Sequence, residues 1–366
     1  MFWKGRVIVH VDMNAFYPSC EQVAHPELAG RPVVVIMTPE RGEEITRGAV
    51  ASCSYEARQF GIHSGMSFRT ARDLCPEAVF VRTHFDLYEK FSAKVMKTLR
   101  EFADLLEVAS IDEAYLECTK MSGRYESPRA LGEAIKRAVR EKVGLRCSVG
   151  IAPTMACAKI ASDYVKPDGL TVVSPEELKR FLGPLEVSRV AGIGPKTQAK
   201  LEQMGIRTLG ELSSTPSYKL TEKFGKIGLW MWKVANGLDD ERVVENEEYK
   251  SLSTEHTLAS ETTERAVFET ALQEMAISLH ARMTELGIVY RTVGIKLVYS
   301  DFRVTVRDYS YPDYKSDLVS LTHAALTLLD RVRPSVPVRK LGLKVSKLLR
   351  IDPRQTRIEK WIQKSE

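Results

Sequence analysis

The spacing of apolar residues in the first half of the chain predicts strands and helices in alternation. β-Branched runs and helical spacing give the order strand, helix, hairpin, helix, strand and helix. These elements are predicted at Val7–Val11, His84–Leu105, Leu105–Glu117, Ser127–Val143, Cys147–Ala152 and Thr154–Val165. This order around one sheet is typical of a ferredoxin-like α+β arrangement.

A smaller subdomain is predicted at residues 31–82. Apolar runs that begin at Pro32 and at Gly48 predict two strands. A helix is predicted after each of two residues of the type that caps helices, Ser54 and Ser67.

The rest of the chain is predicted to hold a helical segment, a linker and a last domain. Residues 174–238 have the pattern of a compact set of helices, and the acidic stretch 239–248 has the composition of a linker. The last domain follows the order strand, helix, strand, strand, helix, strand. Its elements are predicted at Tyr249–Leu258, Glu264–Leu286, Val289–Tyr299, Phe302–Ser310, Ser316–Val332 and Lys340–Leu349. Alternation in the third of these predicts one sheet face packed on the helices and one open face.

Length and composition narrow the class of protein. A chain of 366 residues exceeds what one core usually serves, so we expect two or more domains. Its 44% hydrophobic and 28% charged residues exclude global disorder. The six cysteines form no CxxC pair, and we favour reduced thiols over three conceivable disulfides. Since no run approaches the roughly 20 apolar residues of a membrane span, we expect a cytoplasmic monomer without a membrane partner.

The net charge of +5 is too small to identify a nucleic-acid binder by itself. The charges are segregated, however. The linker is acidic, whereas the chain from Arg331 onwards is basic. The basic stretch therefore has a charge suited to an anionic partner.

Three carboxylates stand at the ends of predicted strands. Asp12 ends the first strand, and Asp112 and Glu113 lie in the apolar run LLEVASIDEAYLE. One interpretation is a hairpin turn with solvated acids. The other is a shared site, which requires a bend after Ser110 because strand alternation would send adjacent side chains to opposite faces. Hard oxygen ligands without His or Cys favour Mg²⁺ and substrate phosphates, so this second interpretation predicts phosphoryl transfer.

Several residues between these strands have phosphate-binding character. Tyr55 and Arg58 lie three apart in the first turn of a helix, where backbone N–H groups and a guanidinium suit a phosphate. An exposed arginine on a solvated helix is the alternative. Lys166 either ends a helix, where a cation is favourable, or reaches a triphosphate. The ring of Tyr17 would exclude a 2′-hydroxyl if a nucleotide binds at Asp12.

Two further regions are candidates for binding DNA. The stretch VAGIGPKTQAKL resembles a helix-hairpin-helix motif, whose glycine turn presents N–H groups to a DNA phosphate. Its candidate residues are Gly192, Gly194, Lys196 and Lys200, and an ordinary helical hairpin is the alternative. In the last domain, basic residues on or beside the strands suit a duplex backbone. They are Arg291, Arg303, Arg307, Lys340, Lys344 and Lys347.

Five motifs together resemble the Y-family translesion DNA polymerases, and look most like the DNA polymerase IV branch. They are HVDMNAFY, SCSYEARQFGIHSGM, ASIDEAYLE, SVGIAPTMACAKIASDYVKPDG and VAGIGPKTQAKLEQMGI, in the order of that family. The resemblance spans about Gly5 to Leu349. It implies a multidomain α+β right-hand polymerase with a ferredoxin-like palm, small fingers, a helical thumb and a βαββαβ little finger. The implied bounds are 1–15 and 84–173 for the palm, 16–83 for the fingers, 174–238 for the thumb, 239–248 for the linker, 249–349 for the little finger and 350–366 for a basic tail.

The resemblance also implies roles for individual residues. Asp12, Asp112 and Glu113 are implied as catalytic ligands of two Mg²⁺ ions, with Mn²⁺ as a substitute, and the Met13 carbonyl as a further ligand. Triphosphate ligands are implied at Ser52, Tyr55, Arg58 and Lys166, with the backbone N–H groups of Phe16 and Tyr17. Tyr17 falls on the sugar steric gate. Asn14 and Ala15 depart from residues that some members carry, which leaves the preferences of the pocket open.

The implied activity is low-fidelity, template-directed synthesis past damaged bases without proofreading, with primer-template DNA and dNTPs as partners. We hypothesise that small residues from Gly48 to Ser52 leave the nascent base pair loosely covered. A sliding clamp is a candidate partner, although the tail lacks the usual apolar ending, and Trp361 and Ile362 are either a remnant of it or helix packing. A nucleotide cyclase and a non-catalytic DNA-binding scaffold are the alternative classes.

Overall fold

The computed structural model describes residues 3–38, 44–245, 249–332 and 334–351. Their contacts divide the chain into two compact units, 1–246 and 247–366. Within the described residues, no helix has the length and apolar character needed to cross a membrane. The tail with Trp361 and Ile362 lies outside the described residues.

The first unit contains eight strands and eleven α-helices among its described residues. In chain order they are β1 (Ile8–Met13), α1 (Phe16–Ala24), β2 (Val33–Met37), β3 (Ala49–Cys53), α2 (Tyr55–Arg58), α3 (Phe68–Leu74), β4 (Val79–Arg82), α4 (Phe85–Arg100), β5 (Leu105–Val108), β6 (Glu113–Glu117), α5 (Pro128–Val143), β7 (Cys147–Ala152), α6 (Met155–Tyr164), β8 (Leu170–Val172), α7 (Leu178–Leu182), α8 (Pro195–Gln203), α9 (Leu209–Ser214), α10 (Ser217–Phe224) and α11 (Lys226–Ala235).

The main sheet of this unit has the order β5-β6-β1-β7-β8. β1 lies at its centre, antiparallel to β6 and β7, and is buried along its whole length. Val9 and Val11 join the core formed with α4 and α5, whereas Ile8 joins the core formed with α6. Since side chains alternate along a strand, Asp12 lies on the α6 face of the sheet, like Ile8.

A second sheet, β3-β2-β4, forms the smaller subdomain. The capping residues were predicted correctly, because the Ser54 and Ser67 side chains accept hydrogen bonds from Ala57 N–H and Thr70 N–H at the starts of α2 and α3. The strand β4 was not predicted. Its residues are only half-buried, so the run lacks the strong apolar pattern of β2.

One helix boundary was wrong. Helical spacing predicted a helix to Leu105, but α4 ends at Arg100 and Leu105 begins β5. Phe102 continues the apolar spacing because it packs in the core from the turn after the helix. The apolar spacing therefore marked buried residues correctly, but it did not mark where the helix ends.

The stretch predicted as a linker is attached to the first unit as far as residue 245. The Asp239 carboxylate accepts the N–H of Ala156 at 3.0 Å, and the N–H of Val244 donates to Glu107 at 2.8 Å. Val243 is buried. These contacts fix the described part of this acidic stretch beside the main sheet and α6.

The second unit is an antiparallel sheet covered on one face by two helices. Its elements are β9 (Ser251–Thr262), α12 (Arg265–Leu286), β10 (Ile288–Tyr299), β11 (Val304–Lys315), α13 (Leu318–Val332) and β12 (Val338–Arg350). The strand order is β11-β10-β12-β9. The predicted order of elements is confirmed, with Val293, Ile295 and Leu297 buried against the helices.

Candidate active site

The carboxylates meet where β1 and β6 pair. Asp12 is the direct partner of Glu113 in the antiparallel register, so their side chains lie on the same face. The bend required after Ser110 is present, since the N–H groups of Ala109 and Ser110 both donate to the Glu113 carbonyl at 3.1 Å. Asp112 lies in this bend, and its carbonyl accepts the N–H of Met13 at 3.0 Å. Asp12 and Glu113 therefore lie beside each other, with Asp112 in the adjoining bend.

Crowding of these acids perturbs their ionisation. Burial, followed by a hydrogen bond with Glu113, raises the pKa of Asp12 to about 7, against the opposing effect of Lys166. Burial also raises the pKa of Asp112, whose Oδ1 accepts the Ser110 hydroxyl at 2.6 Å. For Glu113, burial is outweighed by the hydrogen bonds from Asp12 and Lys159, which lower its pKa. The negative charge of this pair is therefore held more readily by Glu113 than by Asp12.

Two lysines supply positive charge to the carboxylates. The Lys166 ammonium lies 2.8 Å from Asp12 Oδ2 and 2.7 Å from Asp163. The Lys159 ammonium lies 2.7 Å from Glu113 Oε1. Lys159 and Asp163 were missed by the sequence analysis, although their spacing from Lys166 along α6 and the following turn is that of one helical face.

A buried histidine completes this layer and was also missed. His10 lies two residues before Asp12 on the same face of β1, and its Nδ1 is 2.7 Å from the Ser162 hydroxyl. Burial lowers the pKa of His10 to about 3, so the ring is neutral at neutral pH. Among the described residues, no hydrogen-bond partner of Nε2 is found, and that atom lies 4.0 Å from Glu113.

The chemistry of the donor set fits a divalent cation. Hard carboxylate oxygens are the ligands that Mg²⁺ prefers, and an added cation would offset the repulsion between the Asp12 and Glu113 carboxylates. In the part of the chain that the structure describes, no group of three or more His, Cys, Asp or Glu side chains is arranged closely enough to hold a metal ion. The acids instead hold Lys166, Lys159 and Ser110.

A cavity of about 360 Å³ opens beside Asp12. It brings together Met13, Asp112 and every side chain predicted to bind a triphosphate, but not Glu113. Its walls are Asp12, Met13, Ala15, Phe16, Tyr17, Ala51, Ser52, Tyr55, Arg58, Ser64, Asp112 and Lys166. Of the small residues considered above, Ala51 and Ser52 line the cavity, whereas Ala49 does not.

The cavity has features that suit an anion. The Arg58 guanidinium lies over the Tyr55 ring, 4.6 Å from its centre, so the two side chains are held together. α1 begins at Phe16, and no side chain caps this end of the helix. The first N–H groups of a helix have no partner within it, so those of Phe16 and Tyr17 can donate hydrogen bonds to an anionic ligand.

The ring of Tyr17 is held by other aromatic rings. It stacks on Tyr88 with 4.4 Å between ring centres and meets Phe85 edge-on at 6.2 Å. The Tyr88 hydroxyl donates to the buried Glu21 carboxylate at 2.6 Å, which fixes that ring in turn. Tyr17 is therefore a rigid wall of the cavity.

The candidate helix-hairpin-helix residues lie in a glycine turn and on the helix that follows it. Gly192 has a φ of 100°, a conformation that favours glycine, and Gly194 precedes α8, which starts at Pro195. Lys196 and Lys200 are exposed on α8. The turn and both lysines are accessible to a polyanion.

The basic residues of the second unit do not all share one face. In the strand register, Lys296, Lys340 and Lys344 lie on the open face, whereas Arg307 pairs with Ile295 and lies on the helix side. Arg303 is in a turn, bonded to Asp301 at 2.6 Å. Of the remaining two, Arg291 lies where the register between β10 and β11 shifts, and Lys347 lies in β12 with a φ of 52°.

On the open face, Glu255 binds two of these lysines. Its carboxylate is 2.7 Å from Lys296 and 3.2 Å from Lys340. Gly342 lies between Glu255 and Lys296 in the register, and a Cβ there would approach Glu255 Cγ to 3.1 Å. Alternation along β10 places Lys296 on the open face, but neither Lys296 nor Glu255 was among the candidate DNA-binding residues, and the strand register brings the two together.

Comparison with known families identifies this arrangement. Residues 11–163 match the impB/mucB/samB family, residues 175–206 the IMS family HHH motif, and residues 249–358 the impB/mucB/samB family C-terminal domain. The chain belongs to the impB/mucB/samB family. DNA polymerase IV of Methanoculleus marisnigri is 40% identical over 98% of each chain, and DNA polymerase IV 2 of Methanosarcina mazei is 38% identical over 97% of this chain and 96% of its own.

Solved structures agree with this membership. A structure described as "Y-family DNA polymerase chimera Dbh-Dpo4(243-245)-Dbh" matches with a TM-score of 0.84 and 29% identity, over 94% of this chain and all of its own. One described as "Insertion ternary complex of Dbh DNA polymerase" matches with a TM-score of 0.68 and 29% identity, with the same coverage. The predicted Y-family polymerase fold and the resemblance to the DNA polymerase IV branch are confirmed.

Proposed function

We propose that this chain joins dNTPs to a primer 3′-hydroxyl by two-metal phosphoryl transfer at Asp12, Asp112 and Glu113. The chain is a DNA-directed DNA polymerase of the translesion class, as its family membership establishes. The observation that carries the mechanism is the pairing of Asp12 with Glu113 beside a cavity lined by Arg58 and Lys166. Carboxylates, which suit metal ions, therefore lie next to basic side chains, which suit a triphosphate.

The divalent cations would be held by the three carboxylates and the Met13 carbonyl. When bound, a pair of Mg²⁺ or Mn²⁺ ions activates the primer hydroxyl and neutralises the leaving pyrophosphate. Family members need divalent metal, whereas the count of two and the choice of Mg²⁺ belong to the proposal. Burial and the neighbouring Glu113 raise the pKa of Asp12 to about 7, and a bound cation would lower it.

The cavity residues would bind and orient the triphosphate. With a cation on the carboxylates, the Lys166 ammonium, which lies 2.8 Å from Asp12, would be free to contact a phosphate oxygen. Arg58 and Tyr55 face the outer phosphates together, Ser52 adds a hydroxyl, and the N–H groups of Phe16 and Tyr17 add backbone donors. Such preorganised donors stabilise charge that develops during the transfer.

DNA would be held outside the cavity. The glycine turn at Gly192 and Gly194, with Lys196 and Lys200, suits a phosphate of the duplex. Lys340 and Lys344 on the open sheet face suit another stretch of backbone, and Lys296 joins them. The division into palm, fingers, thumb and little finger, a monomeric enzyme and a clamp contact outside the described residues belong to the same proposal.

Primer extension tests the proposal. A primed template with dNTPs should be extended in Mg²⁺, extended with altered efficiency in Mn²⁺, and left unextended after chelation. Product formation without a primer would instead favour a nucleotide cyclase. DNA binding without extension under any divalent metal would favour the scaffold and overturn the mechanism.

Replacing Lys159 with Met should lower the extension rate by about 10- to 100-fold, the usual cost of removing a partner that orients a metal ligand. The ammonium holds Glu113 Oε1 at 2.7 Å, and without it Glu113 can turn away from Asp12. Single-turnover kinetics measure the effect. Lys142→Met is the matched control, because it removes an exposed ion pair between Lys142, on α5, and Glu101. Parental rates in Lys159→Met would show that Glu113 is held without the ammonium.

Replacing Glu255 with Gln should strengthen DNA binding. The neutral amide frees Lys296 and Lys340 for phosphates, so the slope of log K against log salt should steepen by about 0.9 for each new contact. Fluorescence anisotropy across a salt series measures both affinity and slope.

Glu269→Gln provides the control for this experiment. Glu269 pairs with Arg265 on α12, which covers the other face of the sheet, and the charge change is the same. Equal slopes for parent and Glu255→Gln would exclude the open face from the DNA contact.

A further inference from the structure

The turn that carries Lys166 rests on two polar side chains beneath it. Asn14, directly after β1, is buried, and its Oδ1 accepts the backbone N–H of Asp168 at 2.8 Å. Its Nδ2 donates to the Ser148 hydroxyl at 2.9 Å. That hydroxyl accepts the N–H of Gly169 at 3.3 Å. Side chains from β1 and β7 therefore satisfy two consecutive N–H groups of the turn.

Asn14 is itself fixed in place. Its N–H donates to the Arg146 carbonyl at 2.9 Å, and its carbonyl accepts the Ser19 hydroxyl at 2.7 Å. A residue whose backbone N–H and carbonyl are both hydrogen-bonded has little conformational freedom. Asn14 thus transmits the position of β1 to the turn.

The turn has few other conformations open to it. Asp168 has a φ of 57°, in the left-handed region, and a Cβ at position 169 would collide with the Val165 carbonyl. On the outer side, the Asp168 carboxylate holds Lys136 at 3.0 Å. A turn in this conformation persists only where its surroundings over-determine it.

We propose that Asn14 is a positioning residue for Lys166. It sets the position of the turn, and through it the place of an ammonium that lies 2.8 Å from Asp12 and lines the nucleotide cavity. The inference rests on the proposed role of Lys166 as a triphosphate ligand. Loss of the Asn14 amide leaves the partly buried Asp168 N–H without its acceptor, so the turn moves to find one.

A carboxylate at position 14 would preserve the turn. Asp retains the acceptor for the Asp168 N–H, and the Ser148 hydroxyl can rotate to donate to the second oxygen. Leu has a similar size but neither function. The pair Asn14→Leu and Asn14→Asp therefore separates hydrogen bonding from shape.

The test measures kcat and KM for a single dNTP in primer extension. Asn14→Leu should raise KM by about tenfold, in line with one lost hydrogen bond, with a smaller change in kcat. Asn14→Asp should return KM to within about threefold of the parent, and Ser148→Ala should raise KM in the same direction. Stabilisation of the chain against heat by a dNTP with Ca²⁺ gives a readout that needs no turnover.

A double-mutant cycle decides the matter. If Asn14 acts through Lys166, then Asn14→Leu with Lys166→Ala should have the same KM as Lys166→Ala alone. Additive effects would overturn the inference. A raised KM in Lys166→Ala with a parental KM in Asn14→Leu and in Ser148→Ala would overturn only the role of Asn14. A parental KM in Lys166→Ala would overturn the triphosphate role and the inference together.

Discussion

Glu113→Gln is expected to reduce primer extension by about 1000-fold or more, equivalent to about 4 kcal/mol in the barrier. The amide keeps the size of the side chain but removes the charge that faces Asp12 and Lys159. A cation bound at this site would lose one of its three anionic ligands. Single-turnover extension in saturating Mg²⁺ measures the loss.

The control for this prediction lies on the same strand. Glu117 ends β6 and pairs with Arg6 at 3.3 Å, away from the cavity, so Glu117→Gln makes the same chemical change outside the site. Primed DNA should bind Glu113→Gln as it binds the parent, since the sheet face and the glycine turn are unaltered. Extension within tenfold of the parent would remove Glu113 from the catalytic set.

The sequence predicted elements with a strong local pattern. β7 lies where β-branched and small apolar residues run between polar turns, and α5 starts at Pro128 after a capping serine. The four strands and two helices of the second unit were also predicted, because each has its own periodicity. The end of α4 was wrong because burial of Phe102 continues the same spacing outside the helix.

The acids of the candidate site were predictable, but their partners were not. Asp12, Asp112 and Glu113 interrupt apolar runs, and that local contrast marks them. Lys159 contacts Glu113 across 46 positions, and Asn14 contacts the Asp168 N–H across 154 positions. Contacts of this kind depend on how strands and helices pack, which no local pattern reports.

The sequence also did not reveal which face of the second sheet each basic residue occupies. Lys340 and Arg307 were both candidate DNA-binding residues, but Lys340 lies on the open face and Arg307 on the helix side, opposite Ile295. Side chains alternate with a period of two, so a shift of one residue in register reverses the face. Between the pairs Tyr290–Lys315 and Thr292–Ser310, β11 contains three more residues than β10, and nothing in the composition of these strands marks this irregularity.

Tyr17→Ala is expected to admit ribonucleotides, raising their efficiency of incorporation relative to deoxynucleotides by about 10- to 100-fold. The ring is a fixed wall, held at 4.4 Å by Tyr88, so an added 2′-hydroxyl would have to displace it. Forcing extra atoms into a filled space typically costs about 1–3 kcal/mol, which corresponds to this range. Removing the ring opens that space. The ratio of kcat/KM for a ribonucleotide and its deoxy counterpart is the measurement.

Tyr17→Phe separates the ring from its hydroxyl. Phe retains the stack on Tyr88 and the edge contact with Phe85, so it should keep the parental discrimination while losing only the phenol. Deoxynucleotide incorporation by Tyr17→Ala should persist, because the carboxylates and Lys166 do not depend on this ring. Unchanged discrimination in Tyr17→Ala would show that another wall of the cavity excludes the 2′-hydroxyl. Loss of discrimination in Tyr17→Phe would assign the exclusion to a hydrogen bond of the phenol rather than to the volume of the ring.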